Sequence, residues 1–177
     1  PCSEIFFDNG IKIEGGLPGS NNEDGNRFVE IWNLVFMEFL KKDNELSNLP
    51  GKFVDTGMGL ERITAVLSEK INNYDTDLFN FIFEKISLET RAKLNENTLI
   101  PFRIISDHIK SITFMMAEGV LPSNEGRGYV LRRVIRRALL QVNKLNPDSI
   151  ILHKLVDNVI EKYQEQYFEL KNANSFI

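Results

Sequence analysis

The sequence predicts an α+β chain in which an antiparallel sheet comes first and an all-helical region follows. Three observations carry that expectation. All 11 glycines lie before Tyr129 and the last proline is Pro147, so the front is punctuated and the rear is free of strong breakers. Residues 3–14 and 27–39 are rich in Phe, Ile and Val and read as strands joined by loops, an arrangement that favours antiparallel pairing. From Asp75 onward the apolar period becomes helical.

Between the first two strands, Gly15–Gly25 holds four glycines, a proline and two asparagines, the composition of a surface loop. A polar turn over Lys41–Asn48 leads to Pro50 and a short strand near Lys52–Thr56, and a helix is expected from about Gly59 to Lys70. Phe102, Ile105, Ile109, Ile112 and Met116 recur at spacings of three and four, the core stripe of a helix starting just after Pro101 and ended by Gly119 and Pro122. A second long helix is expected from about Gly128 to Leu145. A third is expected from Asp148 to about Lys171, capped by Asp148 or Ser149. The division falls near residues 70–74, giving domains 1–72 and 73–177.

At 177 residues and 42% apolar content the chain can bury one or two ordinary cores, which excludes a disordered polar chain. The net charge of −4 excludes a wholly basic nucleic-acid coat. That sum conceals a separation: residues 126–147 carry six basic residues and no acid, leaving −10 for the remainder. A single cysteine, Cys2, cannot form an internal disulfide, which suits a reducing, cytoplasmic setting, with an organellar form as the alternative. No basic-then-apolar leader and no apolar run of about 18 residues is present, so no membrane partner is expected. The first residue is Pro, not Met, and the sequence reads as a piece of a longer protein.

The stretch richest in chemistry is Phe53-Val54-Asp55-Thr56-Gly57-Met58-Gly59-Leu60-Glu61-Arg62. It is an apolar strand with an acid at its end, two glycines, then a helix start that carries an arginine. Glycines there let a ligand approach the backbone. Asp55 suits an ammonium group, and Arg62 suits a phosphate or the face of a base. Taken alone, the pattern also suits a plain strand-to-helix turn.

The whole decapeptide, however, resembles motif 3 of the class II aminoacyl-tRNA synthetases in its alanyl form. Three more blocks agree in order. Pro1-Cys2-Ser3-Glu4-Ile5 is similar to that family's Gly-Pro-Cys-Ser-Glu-Ile segment, and Glu30-Ile31-Trp32-Asn33-Leu34-Val35-Phe36-Met37 to its Glu-Ile-Trp-Asn-Leu-Val-Phe strand. Pro122-Ser123-Asn124-Glu125-Gly126-Arg127-Gly128-Tyr129-Val130-Leu131-Arg132-Arg133 is similar to its tRNA-binding segment. The resemblance implies part of a class II antiparallel sheet followed by a helical tRNA-recognition domain. It implies formation of alanyl-adenylate from alanine and ATP, with Mg²⁺ in the complete enzyme, and transfer of alanine to tRNA(Ala). Zinc, which belongs to the family's editing module, is not expected here.

By this resemblance Asp55 would hold the alanine α-ammonium, Asn33 and Val35 would shape the amino-acid pocket, and Gly57 would line it. Gly59 would admit the adenosine, and Arg62 would contact ATP. Strand alternation independently puts Ile31, Asn33, Val35 and Met37 on one face and Trp32 on the other. Glu4 and Glu61 are read as structural, Glu61 as an ion-pair partner. The segments resembling motifs 1 and 2 are missing, so this stretch alone is expected to be inactive.

The basic segment forms a patterned helix. At about 100° per residue, Arg132, Arg133, Arg136 and Arg137 fall within an arc of roughly 140°, with only Leu140 intruding. Val130, Leu131, Val134, Ile135, Ala138, Leu139 and Val142 cluster opposite. A solvated helix face and a polyanion-binding face both fit that pattern; the all-Arg composition suits phosphate. The resemblance makes this stripe, with Arg127, a contact surface for the tRNA acceptor stem. It also has Asn124 read a G·U wobble pair, through an amide carbonyl accepting from the guanine 2-amino group. Lys110 stands where the family commonly has Arg and receives no site role, and His108 and His153 are read as packing or surface residues. The rival reading is a non-catalytic RNA-binding helical module whose front serves as scaffold.

Overall fold

The computed structural model describes residues 1–173, so the last four residues of the expected 73–177 region lie outside the described residues. The fold is α+β: a three-stranded antiparallel sheet in the order β1 (Cys2–Asp8), β2 (Phe28–Lys42), β3 (Glu45–Met58), followed by helices. Cα packing divides the chain into two compact units, Pro1–Thr76 and Asp77–Ile177.

The hairpin joining β2 to β3 is tighter than the sequence suggested. Asp43 and Asn44 both adopt positive φ (48° and 66°), and Lys42 pairs with Glu45, a two-residue turn of the type whose twist matches its strands. Asp and Asn tolerate that conformation, so the expected polar turn over Lys41–Asn48 contracts and β3 extends back to Glu45. Pro50, which cannot donate to a ladder, falls where the register breaks between Met37 and Phe39. Helix α1 (Leu60–Leu67) follows β3 directly, its cap residue Gly59 donating to Ile31 O at 3.1 Å. Among the described residues of this unit, Ala65 is the one fully buried apolar side chain.

The second unit holds its own core. Its helices are α2 (Asp77–Thr90), α3 (Leu99–Ala117), α4 (Gly126–Leu145), α5 (Leu152–Tyr163) and α6 (Phe168–Ala173). The stripe on α3 behaves as its period requires: Phe102, Ile105, Ile109 and Ile112 are buried, and Met116 packs beside Leu131 and Ala138 of α4. Two expectations fail. The single helix over 148–171 is two helices, broken after Tyr163. Its cap is Ile151, while Asn146 instead organises the turn by accepting from Asp148 N at 3.0 Å. On α4, Val130 and Leu139 are about half exposed and Gln141 takes a buried place, so the core-facing stripe is narrower than expected. Lys110 lies over the Phe79 ring at 4.3 Å and near Tyr163 at 5.6 Å, where its stem and charge seal an aromatic cluster.

Candidate functional site

Antiparallel register decides which side chains of the first unit meet. Cys2 pairs with Val35 and Val35 with Asp55; Glu4 pairs with Asn33 and Asn33 with Gly57. Residues directly opposite point to the same face. Asn33, Val35, Asp55 and Gly57, chosen from two distant segments, therefore stand together on one face of the sheet. A Cβ added at Gly57 would meet nothing within 4 Å, so this position is open.

The structure adds a neighbour that sequence reasoning left as structural. Glu4 Oε1 accepts a hydrogen bond from Asn33 Nδ2 at 3.1 Å. Period-2 alternation shows that Cys2 and Glu4 share a face, but the register between β1 and β2 passes through a bulge at Ile5/Phe6 and an intervening loop, which leave no local signal. On the other face Trp32 Nε1 donates to Thr56 Oγ1 at 2.5 Å, and that hydroxyl donates to Asn33 O at 3.1 Å. This brace ties β2 to β3 directly beneath the Asn33–Gly57 pair.

Arg62, in the first turn of α1, donates through Nη1 to Glu30 O at 2.8 Å and lies 3.5 Å from Glu30 Oε2. Gly59 makes room for its stem: a Cβ there would stand 3.2–3.4 Å from the Arg62 methylenes. The expected role of Gly59 in admitting a ligand is thus joined by a role in seating Arg62. Arg62 lines two cavities. One, of about 580 Å³, is lined by Phe6, Phe28 and Glu30 with Pro18 and Asp24 of the β1–β2 loop. The other, of about 280 Å³, lies against α1 and is lined by Asn9, Asn26, Val66 and Tyr74.

That loop is built rather than slack. Arg27 Nε and Nη2 each donate to Asp8 at 2.9 Å, closing the loop with a two-pronged ion pair. The Arg27 guanidinium, helped by the Gly10 amide, holds the Asp8 carboxyl below its ordinary range. Inside, Gly16 N donates to Asn22 O at 2.6 Å and Gly19 N to Glu23 Oε2 at 2.7 Å. Gly25, at φ +139°, could not carry a side chain, since its Cβ would lie 2.3 Å from Glu14 O.

In the second unit the basic helix presents its charge as expected. Arg127, Arg132, Arg133, Arg136 and Arg137 are exposed on α4, and none has a carboxylate partner among the described residues. Leu140 lies exposed among them. Tyr129, also exposed, stands under Arg133 at 5.9 Å. Asn124, in the turn before α4, accepts through Oδ1 from Arg132 Nη1. Gly128 permits that turn to close on the helix: it is buried, and its Cβ would fall 2.3 Å from Leu121 O. His108 pairs with the adjacent Asp107 at 2.9 Å. No group of three or more His, Cys, Asp or Glu side chains placed to hold a metal occurs among the described residues. Among them no helix is long and apolar enough to cross a membrane.

Comparison with known proteins gives this geometry a context. The chain matches the class II (A) tRNA synthetases over residues 1–177. The chain belongs to the class II (A) tRNA synthetases. Among relatives, it is 48% identical to the alanine–tRNA ligase of Rickettsia felis over 100% of this chain and 20% of that protein. It is 53% identical to the alanine–tRNA ligase of Hydrogenovibrio crunogenus over 96% of this chain and 20% of that protein. It is 49% identical to that of Francisella philomiragia over 100% and 20%. This synthetase chain therefore spans about a fifth of the length of the curated relatives it matches.

Proposed function

We propose that this chain supplies part of the amino-acid and ATP site, together with an acceptor-stem surface, of an enzyme that activates alanine and attaches it to tRNA(Ala). In this reading residues 1–72 are the later part of the aminoacylation core and residues 73–177 the recognition domain. The observation that carries it is the cross-strand ladder that sets Asn33 opposite Gly57 and Val35 opposite Asp55.

Asp55 holds the alanine α-ammonium by a charge-assisted contact. Val35 and the bare backbone of Gly57 bound a space suited to a methyl group. Arg62 meets the ATP phosphates and stacks on adenine: its contacts to Glu30 use Nη1, and the other guanidinium donors keep the planar fork that phosphate recognition requires. Glu30 holds this arginine in place before the ligand arrives, and the stapled loop walls its cavity, which lowers the ordering cost of binding. Mg²⁺ would enter with the ATP phosphates, its usual mode. It would neutralise phosphate charge.

On α4 the arginine stripe takes the RNA backbone, and Asn124 reads the wobble pair. Arg132 Nη1 takes one lone pair of the Asn124 oxygen and fixes that end of the amide, and the second lone pair remains for the RNA. Through it Asn124 accepts from the guanine 2-amino group in the shallow groove, as the resemblance implies.

The test is alanine-dependent ATP–pyrophosphate exchange by the full-length synthetase containing this chain. Activity that is specific for alanine and is lost in Asp55→Ala supports the reading; exchange that Asp55→Ala leaves intact refutes it.

A further inference from the structure

Asn33 stands between two very different neighbours. On one side is Glu4 of β1, whose Oε1 accepts from Asn33 Nδ2 at 3.1 Å; on the other is Gly57 of β3, with open space where a side chain would be. An amide carries its nitrogen and oxygen on opposite sides of Cγ. Tying the nitrogen to β1 therefore turns Oδ1 away from β1, toward the opening above Gly57. Asp55 stands two residues earlier on that same strand and on the same face. The polar groups bordering the opening are then both acceptors, the Asn33 oxygen and the Asp55 carboxylate.

That uniformity depends on one bond. Left to itself, an asparagine amide turns over at little cost, and in the reversed state it would present N–H groups to the opening. Those would repel an ammonium and leave its hydrogens unpaired. An ionised carboxylate has no donor, so Glu4 accepts the nitrogen and rejects the oxygen. We infer that Glu4 is a positioning residue that locks the Asn33 amide with its oxygen toward Gly57. The sheet face beside Gly57 then turns two acceptors, the Asn33 oxygen and the Asp55 carboxylate, toward a primary ammonium group.

This inference rests on reading Asn33 and Asp55 as the amino-acid site, and it goes beyond that reading by giving Glu4 a function through Asn33. It explains how a neutral side chain contributes to recognising a cation, and it predicts that the effect is specific to the amino acid rather than to ATP.

The experiment measures KM for alanine and for ATP in pyrophosphate exchange by the full-length synthetase, with thermal melts of each variant. Glu4→Ala is expected to raise the alanine KM about 5- to 10-fold, the size of one lost hydrogen bond, while the ATP KM stays within about 2-fold. Glu4→Gln, whose amide can either accept from Asn33 or donate to it, keeps a partner but loses the lock, and is expected to raise the alanine KM about 2- to 5-fold, between the parent and Glu4→Ala. In an Asn33→Ala background Glu4→Ala is expected to add nothing further. Glu4→Gln indistinguishable from the parent enzyme, an equal rise in both KM values, or full additivity with Asn33→Ala would each overturn the inference. Asp55→Asn separates the two levels. If it leaves the alanine KM unchanged, the site reading itself fails; if it raises the alanine KM while Glu4→Ala does not, only the role of Glu4 fails.

Discussion

Gly128→Ala provides a sharp test of how the Asn124 turn is held. In an ordinary exposed helix this change is favourable by about 1 kcal/mol, because alanine loses less backbone entropy. Here the new methyl would lie 2.3 Å from Leu121 O, 2.4 Å from Ser123 Oγ and 2.9 Å from Ser123 Cβ. The serine oxygen can rotate away, but Leu121 O is backbone and moves only with the segment leading to Asn124. The overlap with that oxygen exceeds 1 Å when ordinary contact begins at 3.4 Å. Overpacking of this kind costs about 1–3 kcal/mol or somewhat more, so the clash outweighs the propensity gain. The net is a loss of up to roughly 2 kcal/mol, or as much as about 15 °C in the melting of a helical unit of this size. Calorimetry of the chain reads the stability, and fluorescence anisotropy with an acceptor-stem RNA reads the displacement of Asn124 as weakened binding. A variant that melts higher and binds the RNA as before would refute the packing argument.

Four other outcomes follow from the same geometry. Asp55→Asn in the full-length synthetase should weaken alanine about 10- to 100-fold, the range of a hydrogen bond to a charged group, with ATP affinity nearly unchanged by titration. Arg136→Ala should weaken acceptor-stem binding alike for all sequences and reduce the salt slope by about one unit. Replacing the wobble guanine by inosine, which lacks the 2-amino group, should weaken binding about as much as Asn124→Ala, and an undiminished affinity would refute the carbonyl contact. Finally, Asp8 is held below its ordinary pKa by Arg27 and Glu89 by Lys154 and Lys85. In both cases the unfolded state binds the proton more readily, so their stabilisation is present above about pH 4 and is lost as the pH falls through the lower folded values. Urea melts from pH 6 to pH 2 should show Asp8→Asn losing part of that acid dependence.

Legibility differed by the range of the interaction involved. The stripe from Phe102 to Met116 and the arginine arc are local periodicities, and both were readable because a helix repeats within a few residues. Asn33 and Val35 were readable as sharing a face for the same reason. What could not be read was register: that Glu4 lies across from Asn33, or that Glu30 reaches Arg62, depends on a bulge, a long loop and a two-residue turn. The hairpin was misjudged because Asp43-Asn44 supports a tight turn only if both residues accept positive φ, which composition permits but does not demand. The tail was misjudged because no glycine or proline marks the break after Tyr163.

The two asparagines of the candidate sites make a shared argument about polarity. An amide is ambiguous: it offers a donor at one end and an acceptor at the other, and residue identity does not say which end meets a ligand. In this protein each amide has one end taken by a charged neighbour. Asn33 gives its nitrogen to the Glu4 carboxylate and keeps its oxygen; Asn124 gives one lone pair of its oxygen to the Arg132 guanidinium and keeps the other. The first is thereby set to recognise a cation, and the second has its acceptor end fixed for a donor on a base edge. A carboxylate cannot donate and a guanidinium cannot accept, so neither amide can reverse while its partner remains. In the proposed reading Arg132 therefore acts in recognition twice, as part of the phosphate-binding stripe and through Asn124. Arg132→Ala should therefore impair discrimination of the wobble pair, whereas Arg136→Ala, equally charged and on the same face, should impair affinity alone.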